Sequence, residues 1–83
     1  MTNMTLEIFL KAIGQRIAAF RRKEGLLQKD AADQSGVSYR YYQNIETGRA
    51  NITMGTLFKL ARFYRRHPTD LLPSNVNDTT VVK

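Results

Sequence analysis

Two short helical patterns separated by a tight turn confine this chain to a small set of folds. Between Gln28 and Asn51 it runs QKDAADQSGVSYRYYQNIETGRAN. The first pattern, Gln28 to Ser35, places Leu27, Ala31 and Ala32 inward and Lys29, Asp30 and Asp33 toward water. Small alanines suit a close helix crossing. Gly36 ends this helix and supplies the positive φ that a short turn needs. Val37 then plugs the turn into the core. Ser38 is an N-cap type, so a second helix opens behind it and closes at Gly48. At about 100° per residue, Tyr39, Arg40, Gln43, Asn44 and Thr47 share one face. Tyr41, Tyr42 and Ile45 lie on the other.

The flanking sequence supplies helices to hold this pair. Thr5 is a cap for a first helix, with Glu7 at its positive end. Its 4-3-4-3 spacing aligns Leu6, Leu10, Ile13, Ile17 and Phe20 on one face, with Ile8 and Phe9 partly off it. The cations Arg21-Arg22-Lys23, followed by Gly25, stop that helix. Thr53 caps a fourth segment whose inward stripe is Met54, Leu57, Leu60, Ala61 and Tyr64. His67-Pro68-Thr69-Asp70 opens a last short helix, with Pro at N1 and Asp at N3. Leu71 and Leu72 dock it and Pro73 ends it. The expected organisation is a flexible start over residues 1–4, one all-α domain over 5–73, and a flexible polar tail over 74–83.

Composition narrows the chemistry. The chain has 83 residues, one small domain. It has no cysteine, which excludes disulfides, thiolate metal sites and thiol nucleophiles, and fits a reducing cytosol. Thirteen basic residues against seven acidic leave a net charge of +6, which favours a polyanionic partner: nucleic acid first, anionic membrane second. No apolar run approaches the roughly 18 residues a membrane span needs, and no signal peptide is evident. His67 has no companion ligand, so no metal is expected, and no cofactor motif appears. Paired carboxylates, a Ser/His/Asp set and a Gly-rich phosphate loop are missing, so the sequence does not read as an enzyme. Glu46 reads as a structural carboxylate pairing with Arg16 or Arg49.

What remains is the polar face of the second helix in the pair. Arginine can contact guanine bidentately in the major groove, and glutamine or asparagine adenine. Arg40, Gln43 and Asn44 are therefore the base-reading candidates, with Tyr39 placed to pack on a thymine methyl or a sugar. The bland alternative is a solvated helix face. Tyr41, at the edge, suits core packing and a phosphate contact equally.

Taken in order, Gly14-x-x-Ile17, Arg21 to Gly25, Gln28, Ala32, Gly36-Val37-Ser38, Ile45-Glu46-x-Gly48, Asn51, Leu57-x-x-Leu60-Ala61 and Leu71-Leu72 resemble the phage-repressor, Cro-like (XRE-type) helix-turn-helix family. The resemblance covers residues 13–72. It implies a compact five-helix, lambda-repressor-like domain with the helix-turn-helix at helices 2 and 3, binding double-stranded DNA, usually as a homodimer. Matched position by position, it gives Tyr39, Arg40, Gln43 and Asn44 base edges or nearby phosphates. Gln28, Thr47, Arg49 and Asn51 fall where the family touches the DNA backbone, with Ser38 and Tyr41 as further phosphate candidates. Gln28 also braces the recognition helix, helix 3, and Tyr42 and Ile45 take core positions. The chain departs from the family at Leu27, where Ser or Thr usually caps helix 2, and at Ala31, where Leu is usual. It departs again at Arg65-Arg66, where Gly and an aliphatic residue are usual. If Ala31 leaves space, Tyr42 is the residue to fill it.

The expectation is a cytoplasmic transcriptional regulator of bacterial or phage origin. It would be a homodimeric repressor or autoregulatory controller on a palindromic operator. Phe63, Leu71 and Leu72 are the first choice for the dimer surface, and the region of Leu6 and Phe9 is the second. An antitoxin-like autoregulator is the nearest alternative, and RNA polymerase becomes a partner if the protein activates. A protein-interaction module reusing the fold is the reading from another class. The polar character of Arg40, Gln43 and Asn44 weighs against it, because protein interfaces favour aromatic and aliphatic anchors.

Overall fold

A computed structural model describes residues 3–73. The expected tail at 74–83, with Met1 and Thr2, lies outside the described residues. Thr5 caps α1 (Leu6–Lys23), its hydroxyl accepting the Ile8 N–H at 3.1 Å. Glu7 in the first turn and Arg21, Arg22 and Lys23 in the last oppose the helix dipole at both ends. α2 (Gln28–Ser35) ends at Gly36, which takes the left-handed conformation at φ 79°. The Val37 N–H then reaches back to the Ala32 carbonyl at 3.0 Å, closing the turn. Ser38 caps α3 (Tyr39–Thr47) by accepting the Tyr41 N–H at 3.2 Å, and Thr53 does the same for α4 (Met54–Phe63) through Thr56. Leu27, standing where the family has a hydroxyl, makes no side-chain cap for α2.

The expected fifth helix is a single 3-10 turn, Pro68–Leu71, so the described residues hold four α-helices and no strand. The sequence around it explains the shortening. His67 and Asp70 form a reciprocal capping box, and the Leu72 N–H bonds the Thr69 carbonyl, three residues back. Leu72 is already extended, as a residue preceding proline prefers, and Pro73 follows it.

The core gathers Ile13 and Ile17 from α1, Ala31 and Ala32 from α2, Val37 from the turn, and Tyr42 and Ile45 from α3. Ile52, Leu57, Leu60, Ala61, Tyr64 and Leu71 complete it. Tyr42 is wholly buried and its hydroxyl meets that of Tyr64 at 2.6 Å, so its one polar atom is satisfied. Burial, first, and this hydrogen bond, second, push the Tyr42 phenol well above the usual tyrosine range. Three residues expected inside are outside: Leu6 is 60% exposed, Leu27 70% and Met54 69%. Each stands at or just before the start of its helix. α1 meets the core only from Phe9 onward, residues 4–8 being exposed.

α1 and α3 touch backbone to backbone. A Cβ added at Gly14 would collide with the Ile45 and Glu46 carbonyls, so only glycine lets the helices approach this closely. At the end of α4, Arg65 takes a left-handed φ of 57° where the family carries glycine. Arg66 is exposed, with its guanidinium 4.6 Å from the centre of the Phe20 ring. The second cation of that pair is therefore not buried, and its planar head covers an aromatic face. Two substitutions check these contacts by thermal or denaturant unfolding. Gly14→Ala is expected to destabilise the fold by about 1–3 kcal/mol through overpacking against carbonyls. Arg65→Gly is expected to stabilise it by about 1 kcal/mol by relieving the left-handed strain.

Candidate nucleic-acid interface

The frame behind α3 is polar at its centre. Arg21, on α1, donates to both oxygens of Glu46, on α3: Nε to Oε2 at 2.7 Å and Nη2 to Oε1 at 3.1 Å. Its Nη1 donates to the Leu26 carbonyl at 2.8 Å, which ties the α1–α2 loop to the same centre. Gln28 Nε2 adds a third donor to Glu46 Oε1 at 2.8 Å. The two charged side chains retain 13% and 4% of their exposure, so this is a part-buried, bidentate ion pair. Burial alone would raise the Glu46 carboxyl. Hydrogen bonds from Arg21 and Gln28, with Tyr42 contributing, more than offset it and hold the carboxyl below its ordinary value. Arg21 is raised in turn, first by its hydrogen bond to Glu46.

This pairing corrects the expectation for Glu46. Arg16 instead donates through Nε to the Asp70 carbonyl at 2.7 Å, and Arg49 is exposed. Arg21 does more than complement the helix dipole. The sequence contained a signal for it: Arg21 lies four residues after buried Ile17, and Glu46 four after buried Tyr42, so each continues an inward stripe.

With Tyr42 and Ile45 in the core, α3 turns its other side out. Tyr39 is 43% exposed, Arg40 is exposed, and Gln43 and Asn44 are half-buried. These four and Thr47 follow one face of the helix. The Thr47 hydroxyl donates back to the Gln43 and Asn44 carbonyls, each at 3.2 Å. Of the backbone-contact candidates, Ser38 opens α3, while exposed Arg49 and Asn51 follow its end. Tyr41 is half-buried, and its hydroxyl accepts the Thr53 N–H at 3.4 Å, joining α3 to the start of α4. Gln28 is half-buried and engages both ends of its amide: the nitrogen with Glu46, the oxygen with Gln43 Nε2 at 3.4 Å.

Away from α3, Leu71 is fully buried within the chain and offers no surface to a partner; Phe63 and Leu72 are half-buried. Among the described residues, no group of His, Cys, Asp or Glu side chains is arranged to hold a metal ion. No described helix is long and apolar enough to cross a membrane.

The ion pair sets a pH dependence. Because Glu46 titrates lower in the folded chain than in the unfolded one, it contributes stability above the ordinary carboxyl range. That contribution is lost as pH falls through the folded value. Thermal melts of the parent are thus expected to fall steeply below about pH 5, and those of Glu46→Gln to start lower at pH 7 and depend less on acid. Arg21→Met at pH 7 is expected to lose about 1–3 kcal/mol, because it takes the charged partner from a part-buried carboxylate and leaves it the Gln28 donor.

A helix-turn-helix family model, HTH_3, matches residues 17–71. The HTH-type transcriptional regulator y4dJ of Sinorhizobium fredii is 40% identical over 52 residues, 63% of this chain and 68% of that protein. The restriction-modification controller protein C.AhdI from Aeromonas hydrophila has a similar structure, with a TM-score of 0.71 and 32% identity over 75% of this chain and 94% of that one. The DNA-binding domain of BldD matches with a TM-score of 0.75 at 26% identity, covering 84% of this chain and 100% of that one. The order α2–turn–α3, the outward polar face of α3 and these matches together place the chain in the HTH_3 helix-turn-helix family of DNA-binding transcriptional regulators.

Proposed function

We propose that this protein is a homodimeric regulator that sets α3 into the major groove of a palindromic operator and acts as a repressor or autoregulatory controller. The observation that carries the reading is the outward face of α3. Tyr39, Arg40, Gln43 and Asn44 stand on a helix whose opposite side is anchored by Tyr42, Ile45 and the Arg21–Glu46 pair. A reading helix needs a rigid back and a free polar front. Phosphate contacts from Gln28, Ser38, Tyr41, Thr47, Arg49 and Asn51 would fix its register, and base edges would supply sequence preference. The net charge of +6 supplies the non-specific attraction that brings such a domain onto DNA. The controller role is supported by the likeness to C.AhdI, which spans nearly all of that chain.

A dimer follows from the symmetry of a palindromic site, with two copies of α3 about 34 Å apart, one turn of DNA. For its surface we favour α4 and the corner beyond it. Phe63 and Leu72 are partly exposed there, and α4 also exposes Met54 and Phe58, one turn apart. Such a regulator works in the cytoplasm, where its operator lies.

Titration of a selected operator over a range of salt concentrations tests the reading. Log affinity is expected to fall linearly with log salt, with a slope of about −0.9 for each phosphate neutralised. The double variant Arg40→Ala, Asn44→Ala is expected to lose at least about tenfold in operator affinity while keeping its melting temperature. Unchanged operator affinity in that variant would remove α3 as the reading element.

A further inference from the structure

At the corner where α1, α2 and α4 end, one charged residue stands in a backbone conformation that does not suit it. Arg65 has a left-handed φ of 57°, where glycine would be free of strain. Strain of this kind collects at functional sites, where the position it gives a side chain has a use. Arg65 borders a pocket of about 220 Å³. Leu26, Phe63 and Tyr64, buried or half-buried, form its floor, and exposed Glu24, Gln34 and Arg65 form its rim. Pockets for drug-sized ligands run to about 300–1,000 Å³, so this one suits a small metabolite.

Glu24 and Arg65 bring opposite charges to the same pocket. Neither makes an ion pair or a side-chain hydrogen bond among the described residues. Arg66 differs, because its guanidinium already covers the Phe20 ring. A purely anionic ligand would meet the Glu24 carboxylate, and a purely cationic one the Arg65 guanidinium. A ligand with both charges close together satisfies the two at once. We propose that this pocket binds a free α-amino acid with an apolar side chain, its carboxylate on Arg65, its ammonium on Glu24 and its side chain against Leu26, Phe63 and the Tyr64 ring. An arginine fork matches a carboxylate, and a glutamate accepts from an ammonium. Gln34 adds a donor and an acceptor at the rim. The pocket also adjoins the frame behind α3. The Leu26 carbonyl accepts Arg21 Nη1 at 2.8 Å, and the Tyr64 hydroxyl meets that of Tyr42 at 2.6 Å. Occupancy therefore adds to the stability of that frame. The site stands independently of what α3 reads.

Titration of the full-length chain with L-leucine, followed by NMR of the backbone amides, tests the site. Saturable shifts are expected at Leu26, Gln34, Phe63 and Arg65, with a Kd of about 1 mM or tighter. Isocaproic acid lacks the ammonium and isoamylamine the carboxylate, and each is expected to bind at least about tenfold more weakly. The decisive variant is Arg65→Gly. It is expected to melt higher than the parent through relief of the strained backbone, yet to bind L-leucine at least about tenfold more weakly. Glu24→Gln is expected to lose a similar factor for L-leucine and none for isocaproic acid. Unchanged L-leucine affinity in Arg65→Gly would overturn the proposal, as would equal affinity for L-leucine and either analogue. So would the absence of saturable shifts at these residues at about 10 mM L-leucine. Phe63 also belongs to the surface proposed for the dimer, so sedimentation is run beside each titration. Shifts that follow a change of mass and not occupancy would overturn the proposal as well.

Discussion

The part-buried ion pair between Arg21 and Glu46 is the constraint on which the rest of this structure depends. It joins the last turn of α1 to the last turn of α3, and through the Leu26 carbonyl and Gln28 it also ties in the entrance to α2. Taking two charges out of water is expensive, and a hydrophobic pair of similar volume is often as stable. The geometry here recovers much of that loss, with two Arg–carboxylate bonds and further donors and acceptors around both groups. Its consequence is positional. A hydrophobic contact tolerates a sliding or rotated helix; a bidentate fork does not. The orientation of α3, and so of its outer face, is set by directional bonds at its back.

Close packing makes that bond possible. Gly14 allows the α1 backbone to rest on the carbonyls of Ile45 and Glu46, which brings Arg21 within reach of its partner. Ala31 and Ala32, both wholly buried, are the side chains α2 brings to the core. Ala31, Ala32 and Tyr42 share one core cluster, and a tyrosine buried there needs a partner for its hydroxyl, which Tyr64 provides. Phe63 meets Tyr64 edge to face with ring centres 4.8 Å apart, and the Phe20 ring, which Arg66 covers, lies 6.2 Å from Tyr64.

Local chemistry was legible in the sequence. Thr5, Ser38 and Thr53 cap the helices expected of them, Gly36 takes the left-handed turn, and His67 opens the last element. These features depend on residues a few positions apart, where spacing determines geometry. Periodicity also gave the faces of α3, because Tyr42 and Ile45 leave little choice of which side is buried. Periodicity says which way a side chain points, though not whether anything lies there. Leu6, Leu27 and Met54 point along inward stripes at helix starts that the core does not reach. The inward register of Arg21 and of Glu46 was legible, but not that the two pair: they lie 25 residues apart, and only the crossing of α1 and α3 brings them together. The last helix shrank to one turn because Pro73 constrains the residue before it.

Placement of α3 in the major groove is the central claim, and chemical interference reads it directly. Dimethyl sulfate methylates guanine N7, which lies in the major groove, and adenine N3, which lies in the minor groove. A selected operator is methylated sparsely, bound, and separated into bound and free fractions. Guanine N7 methylation inside each half-site is expected to exclude DNA from the bound fraction, while adenine N3 methylation at those positions leaves binding intact. Interference confined to adenine N3, or none in either groove, would contradict a reading helix in the major groove.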